Sequence, residues 1–158
     1  MRGRKATAAK RRPARPLIVL CVPSETSFLG LVRDLTKRMA EQAGFEDGVA
    51  ERLALAVDEA TTNVIEHAYG GEHGRTVEIR FDVRGDELRI EVVDTGRMVD
   101  PRRMPDVDLG RYVTERRTGG LGVHLMEKIM DSVTFRRSAR RNVCCMVKRR
   151  TALSANAS

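Results

Sequence analysis

The densest chemistry in the chain lies in Asp58-Glu59-Ala60-Thr61-Thr62-Asn63-Val64-Ile65-Glu66-His67-Ala68-Tyr69. On a helix, Glu59 and Asn63 stand one turn apart and project from the same face. They flank the apolar stripe, which places them at the edge of a core and facing a pocket. Further on, Val93-Asp94-Thr95-Gly96 puts an acid and a glycine at the end of an apolar strand. Thr118-Gly119-Gly120-Leu121-Gly122 then brings three glycines to the entrance of a helix. Such a turn offers free N–H groups and a positive dipole end to phosphate. Each piece alone has an ordinary reading: solvated helix residues, a tight turn, a flexible connection. Their order and separation together point to a site. His67 reads as a local bond that fixes the helix end, and His124 as a surface or boundary residue. Met126, Ile129 and Met130 recur at helical spacing as core. Arg116 and Arg117 read equally as a reach toward phosphate or as a solvated basic pair.

These groups need elements to hold them. Residues 17–22 form a short apolar run bounded by prolines, which predicts a strand. Ser24 is expected to cap a helix running to about Ala43, with Phe28, Leu31, Val32, Leu35 and Met39 as its stripe and Gly44 as its stop. A second helix is expected over about 47–69, with Val49, Leu53, Val57, Ala60 and Val64 on its apolar face and Gly70-Gly71 at its end. Alternation of Val77, Ile79, Phe81 and Val83, then of Leu88, Ile90 and Val92, predicts strands over 76–84 and 87–93 joined at Gly85-Asp86. The stretch 94–122 is rich in Gly, Pro, Asp and Arg without periodicity, and a long irregular segment in a small domain is either functional or disordered. A third helix over about 122–130 and strands near 132–137 and 142–149 close the domain. The expected fold class is α+β: a two-layer sandwich of a mixed, mainly antiparallel sheet with about three helices on one face. The domain spans 17–150, between a disordered basic arm at 1–16 and a disordered tail at 151–158.

Composition bounds the function classes. With 158 residues the chain fits one domain, and 41% hydrophobic residues suffice for a core, which excludes wholesale disorder. Its 29 Lys plus Arg against 22 Asp plus Glu give a net charge of +7. The sum is uneven: 1–16 and 132–158 carry seven bases each and no acid, so 17–131 is net −7. A polyanion-binding protein is therefore not the first reading of the body. Nucleic-acid binding through the basic ends is further weakened by four Phe, two Tyr and no Trp for base stacking. The basic arm reads first as a solvated tail, then as a weak polyanion contact, and last as a targeting signal. Three cysteines, with Cys144 and Cys145 adjacent and Cys21 far away, make no disulfide framework and have no zinc-site spacing. They read as small packing residues in a reducing compartment. No apolar run approaches the roughly 20 residues that cross a bilayer.

In this order, Glu59-Ala60-x-x-Asn63-x-x-x-His67-Ala68-Tyr69 resembles the N box of the nucleotide-binding fold shared by gyrase and histidine kinases, the GHKL ATPases. Asp94-Thr95-Gly96 resembles the first glycine box, and Gly119-Gly120-Leu121-Gly122 with the helix after it resembles the second. Within that fold the chain is most similar to the bacterial anti-sigma factor serine/threonine kinases, over about 17–149. The resemblance implies a Bergerat-type ATP-binding fold with ATP and Mg²⁺ as cofactors. Asn63 would ligate the metal and contact nucleotide, and Glu59 would act as general base toward a serine hydroxyl. Asp94 would accept from the exocyclic amine of adenine. Gly96 would let the backbone approach the base, and Gly119, Gly120, Leu121 and Gly122 would cradle phosphates. It further implies a cytoplasmic homodimer whose partners are a sigma factor and a STAS-domain anti-anti-sigma protein. One departure stands out: many members continue to a second glycine in the first box, where this chain has Met98. That side chain supports a rival reading, a non-catalytic or switch-kinase member acting as a protein-binding module.

Overall fold

The computed structural model describes residues 18–98 and 121–151, and of Leu121 the backbone alone. The basic arm, the stretch 99–120 with Arg116, Arg117, Gly119 and Gly120, and the tail from 152 lie outside the described residues.

The chain runs β1 (Ile18–Pro23), a 3₁₀ turn (Thr26–Phe28), α1 (Leu29–Gln42), α2 (Asp47–Asn63), a π-turn (Val64–Ala68), β2 (Thr76–Arg84), β3 (Glu87–Asp94), α3 (Leu121–Ile129), β4 (Ser132–Ser138) and β5 (Arg141–Arg149). Five strands form one sheet in the order β1-β2-β3-β5-β4, and every pairing in it is antiparallel. The α+β two-layer expectation holds, with the helices on one face. Alternation decides which side faces them. Val77, Ile79 and Phe81 of β2, Leu88, Ile90 and Val92 of β3, and Met146 of β5 are buried with Val32 and Met39 of α1, Leu53 and Val57 of α2, and Met126 of α3. Fully burying a side chain of this size is worth about 1.5–3 kcal/mol, so this layer dominates stability.

The opposite face carries charge. Glu78 and Arg80 pair along β2, Arg80 reaches Glu91 at 3.4 Å, and Glu91 also meets Arg136 of β4 at 3.1 Å. Arg141 pairs with Glu78 at 3.5 Å and Arg149 with Glu87 at 3.0 Å. The bases that crowd the end of the sequence therefore lie across the sheet from acids of its middle. Individually such exposed pairs contribute about 0–1 kcal/mol.

Three local details differ from expectation. Ser24 does not cap a helix. Its hydroxyl donates to the Glu72 carbonyl at 2.6 Å and accepts from the Arg75 amide at 3.0 Å, tying the end of β1 to the approach to β2. The first helix instead begins through the 3₁₀ turn, without a side-chain cap bond. Leu31 is 51% exposed, because Phe28, Val32, Leu35 and Met39 already define the buried stripe and Leu31 falls beside it. The second helix stops being α-helical at Asn63 and continues as the π-turn. Gly44 does end α1, at φ 85°, where the Phe45 amide reaches Ala40 and the Gly44 amide reaches Glu41, the paired bonds of a Schellman stop.

Candidate active site

Where α2 ends and β3 ends, a pocket opens between them. Asn63, Val64, His67 and Ala68 line one side, Asp94, Arg97 and Met98 another, and Phe135, Asn142 and Cys144 of the last hairpin a third. Of the residues singled out from the sequence, Asn63 and Asp94 thus share one pocket.

Asp94 is 5% exposed and closes β3. Its Oδ1 accepts from the Gly96 amide at 2.8 Å and from Asn142 Nδ2 at 2.8 Å, which leaves Oδ2 without a described hydrogen bond. Burial pushes the Asp94 carboxyl above the usual range, while the bonds from Asn142 and Gly96 hold it back. When ionised, the carboxylate is acceptor-only, the form that suits an amine ligand.

Gly96 is a glycine for a reason visible without any ligand. A Cβ there would lie 2.5 Å from the Ala68 carbonyl oxygen and 2.9 Å from the Tyr69 ring. The same carbonyl accepts from the Arg97 amide at 2.9 Å. Tyr69 completes the joint: its hydroxyl donates to Thr76 O at 2.5 Å and accepts from the Thr95 amide at 3.1 Å. The backbone that comes close at Gly96 is thus that of the π-turn. Within that turn the Tyr69 amide reaches Val64 O at 2.9 Å and the Gly71 amide reaches Ile65 O at 2.8 Å. An inserted π-turn re-aims the side chains that follow it, and such turns recur at functional sites. Here it carries His67 to the pocket wall with Nε2 buried and, among the described residues, without a hydrogen-bond partner, so no local bond of His67 fixes the helix end there.

Glu59 lies one turn before Asn63, half-buried, on the side of α2 that faces α3. A Cβ on Gly122 would meet Glu59 Oε2 at 2.7 Å, so the carboxylate rests against the first turn of α3. Burial pushes the Glu59 carboxyl up, and the neighbouring charges of Asp58 and Glu66 add to this. A carboxylate so raised is a better proton acceptor near neutral pH. Asp58 itself turns the other way, taking Arg33 Nη2 on Oδ2 at 2.6 Å and tying α1 to α2.

Asn63 has no side-chain hydrogen bond among the described residues, and its amide oxygen fits a ligand position. No cluster of three or more His, Cys, Asp or Glu is present among them to hold a metal alone. Mg²⁺ takes few protein oxygens and completes its shell with phosphates and water. Met98 is 49% exposed and stands at the pocket rim. Sequence reasoning passed over Asn142, whose only mark was a polar residue at the head of an apolar strand. Strand register, which puts it directly opposite Asp94, is what gives it meaning.

The profile of the histidine kinase-like ATPase domain matches residues 22–148. The chain belongs to this family. As such an ATPase domain it binds ATP, as the resemblance implied. Among its relatives, the serine-protein kinase RsbW of Bacillus velezensis is 37% identical over 73% of this chain and 75% of its own length. The serine-protein kinases RsbW of Bacillus subtilis and Listeria monocytogenes are 36% and 32% identical, covering 73% of this chain and 75% and 76% of theirs. Relatives at this identity and coverage make the ATPase domain an enzyme, a serine/threonine protein kinase. Among the described residues, no helix is long and apolar enough to cross a membrane.

Proposed function

We propose that this kinase is a cytoplasmic anti-sigma factor that uses ATP and Mg²⁺ to phosphorylate a serine or threonine on a STAS-type antagonist protein. As a homodimer it would hold a sigma factor inactive until the antagonist displaces that factor. The observation that carries the reading is the placement of Asn63 and Asp94 in one pocket with Glu59 one turn away, against the head of α3.

Asp94 would receive the base and Asn63 would hold the metal. The first turn of α3, with Gly122, faces the phosphates. Mg²⁺, when bound, neutralises charge on the transferring phosphoryl group. Glu59 accepts the proton of the attacking hydroxyl as its oxygen bonds to the γ-phosphorus and the bond to ADP breaks. Phosphoryl transfer needs mainly positioning and charge neutralisation, so this short set suffices.

Calorimetry with ATP and Mg²⁺, followed by a radiolabelled transfer assay on STAS substrates, tests the proposal. Glu59→Gln is expected to retain nucleotide binding and lose about 10²–10⁴-fold in transfer, the usual worth of a general base. A folded wild type that gives no binding heat would sink it.

A further inference from the structure

Asn142 opens β5 directly across from Asp94 in the β3–β5 register. Its Nδ2 donates to Asp94 Oδ1 at 2.8 Å and to the Gly96 carbonyl at 3.1 Å. Both partners are acceptors, so the orientation of the amide is fixed by its bonds. With the Gly96 amide also on Oδ1, that oxygen is fully used by the protein, and Oδ2 is the one left for a ligand. We infer that Asn142 is the positioning residue that makes the base pocket select adenine over a base with a carbonyl at the same place. The inference rests on the pocket being the ATP site.

The chemistry is a matter of donors and acceptors. An ionised carboxylate presents lone pairs only, which match an exocyclic amine and repel a carbonyl oxygen. A carboxyl that rotates or gains a proton loses this discrimination, since its O–H then donates to a carbonyl. Burial works toward protonating Asp94, and the Asn142 bond works against it. The other groups on this pocket are His67 from the π-turn, Arg97 beyond β3 and Arg136 from β4, with Arg75 and Arg137 acting on Asp94 at longer range. Asn142 is the side chain that touches the carboxylate.

The test compares Mg-ATP with Mg-ITP, whose base carries a carbonyl in place of the amine, by calorimetry between about pH 5.5 and 8. Wild type is expected to prefer ATP. Asn142→Ala should weaken ATP by about 10- to 100-fold, the worth of a hydrogen bond to a charged group, and change ITP far less. Asn142→Asp is isosteric and sets two carboxyls together. It should bind ATP poorly at pH 8 and recover as the pH falls, because the introduced carboxyl, once protonated, donates to Asp94 as the amide did. Equal losses for both nucleotides, an unchanged ATP to ITP ratio, or a pH-independent Asn142→Asp would overturn the inference. Wild type that binds neither nucleotide overturns the ATP-site reading itself. Thermal melting confirms folding, and if Asn142→Ala does not fold, the pH response of Asn142→Asp decides.

Discussion

At the level of single residues, Glu59 combines two consequences of one environment. Its pKa is raised by burial first and by Asp58 and Glu66 next. If Glu59 is the base proposed above, the acid limb of the pH–rate profile is expected above the ordinary carboxylate range, since a base must be ionised to work. Stability follows the same sign. A carboxyl whose folded-state pKa is raised contributes fully below its unfolded value, and that contribution is lost as pH rises through the folded one. Glu59→Gln should thus melt higher than wild type at pH 7–8 by a few tenths of a kcal/mol, the size of a like-charge contact on a helix, with the gain vanishing near pH 4. Calorimetric melting across that range checks it. Gly122→Ala probes the same contact from the other side. The atom in the way is the far end of a flexible side chain, so stability should change by no more than about 0.5 kcal/mol. Transfer should fall about 10- to 100-fold because the carboxylate is displaced by roughly an ångström. Paired melting and transfer measurements separate the two effects.

At the level of elements, the strands and the ends of helices were legible where one local rule decided them. Val77, Ile79 and Phe81 alternate with charge and are buried as that pattern requires, and Gly44 stops α1 in the left-handed conformation. What sequence could not show was set by contacts between distant segments. Ser24 has the chemistry of a cap but finds partners at Glu72 and Arg75. The π-turn has no local signature, because its geometry is fixed by what Ala68 and Tyr69 meet near Gly96. Among the site residues, Glu59, Asn63 and Asp94 could be nominated by type and spacing, whereas Asn142 required the register. Tyr69→Phe tests the joint directly. Loss of the hydroxyl leaves the Thr95 amide and Thr76 carbonyl without their partner and should cost about 1–3 kcal/mol. Denaturant unfolding should show this as a lower midpoint with unchanged slope.

At the level of the whole molecule, the net charge of +7 hides a pairing among the described residues: bases near the end of the sequence meet acids of its middle across the sheet. Its face reads as a mixed-sign surface, which a residue count along the chain hides. The cysteines are likewise sorted by the fold: Cys21 on edge strand β1 is exposed, while Cys144 and Cys145 are buried. A thiol reagent should therefore modify one sulfur quickly in the native protein, with mass spectrometry placing the label on Cys21. The adjacent pair should react at the rate of opening, and burial also pushes the Cys145 thiol up and so keeps it from ionising. Rapid labelling of all three would contradict the packing of β5.

The seat of Gly96 on the Ala68 carbonyl makes α2 a measuring rod. One end of the span from Glu59 to Tyr69 carries the proposed proton acceptor, and the other is fastened to the loop that follows Asp94. A single inserted residue within that span would turn the acceptor by about 100° and shift it by about 1.5 Å relative to the fastened end. No loop lies between them to absorb the change. Length variation should thus be tolerated at the Gly85-Asp86 turn, which lies at the other end of β3, and rejected between Glu59 and Tyr69.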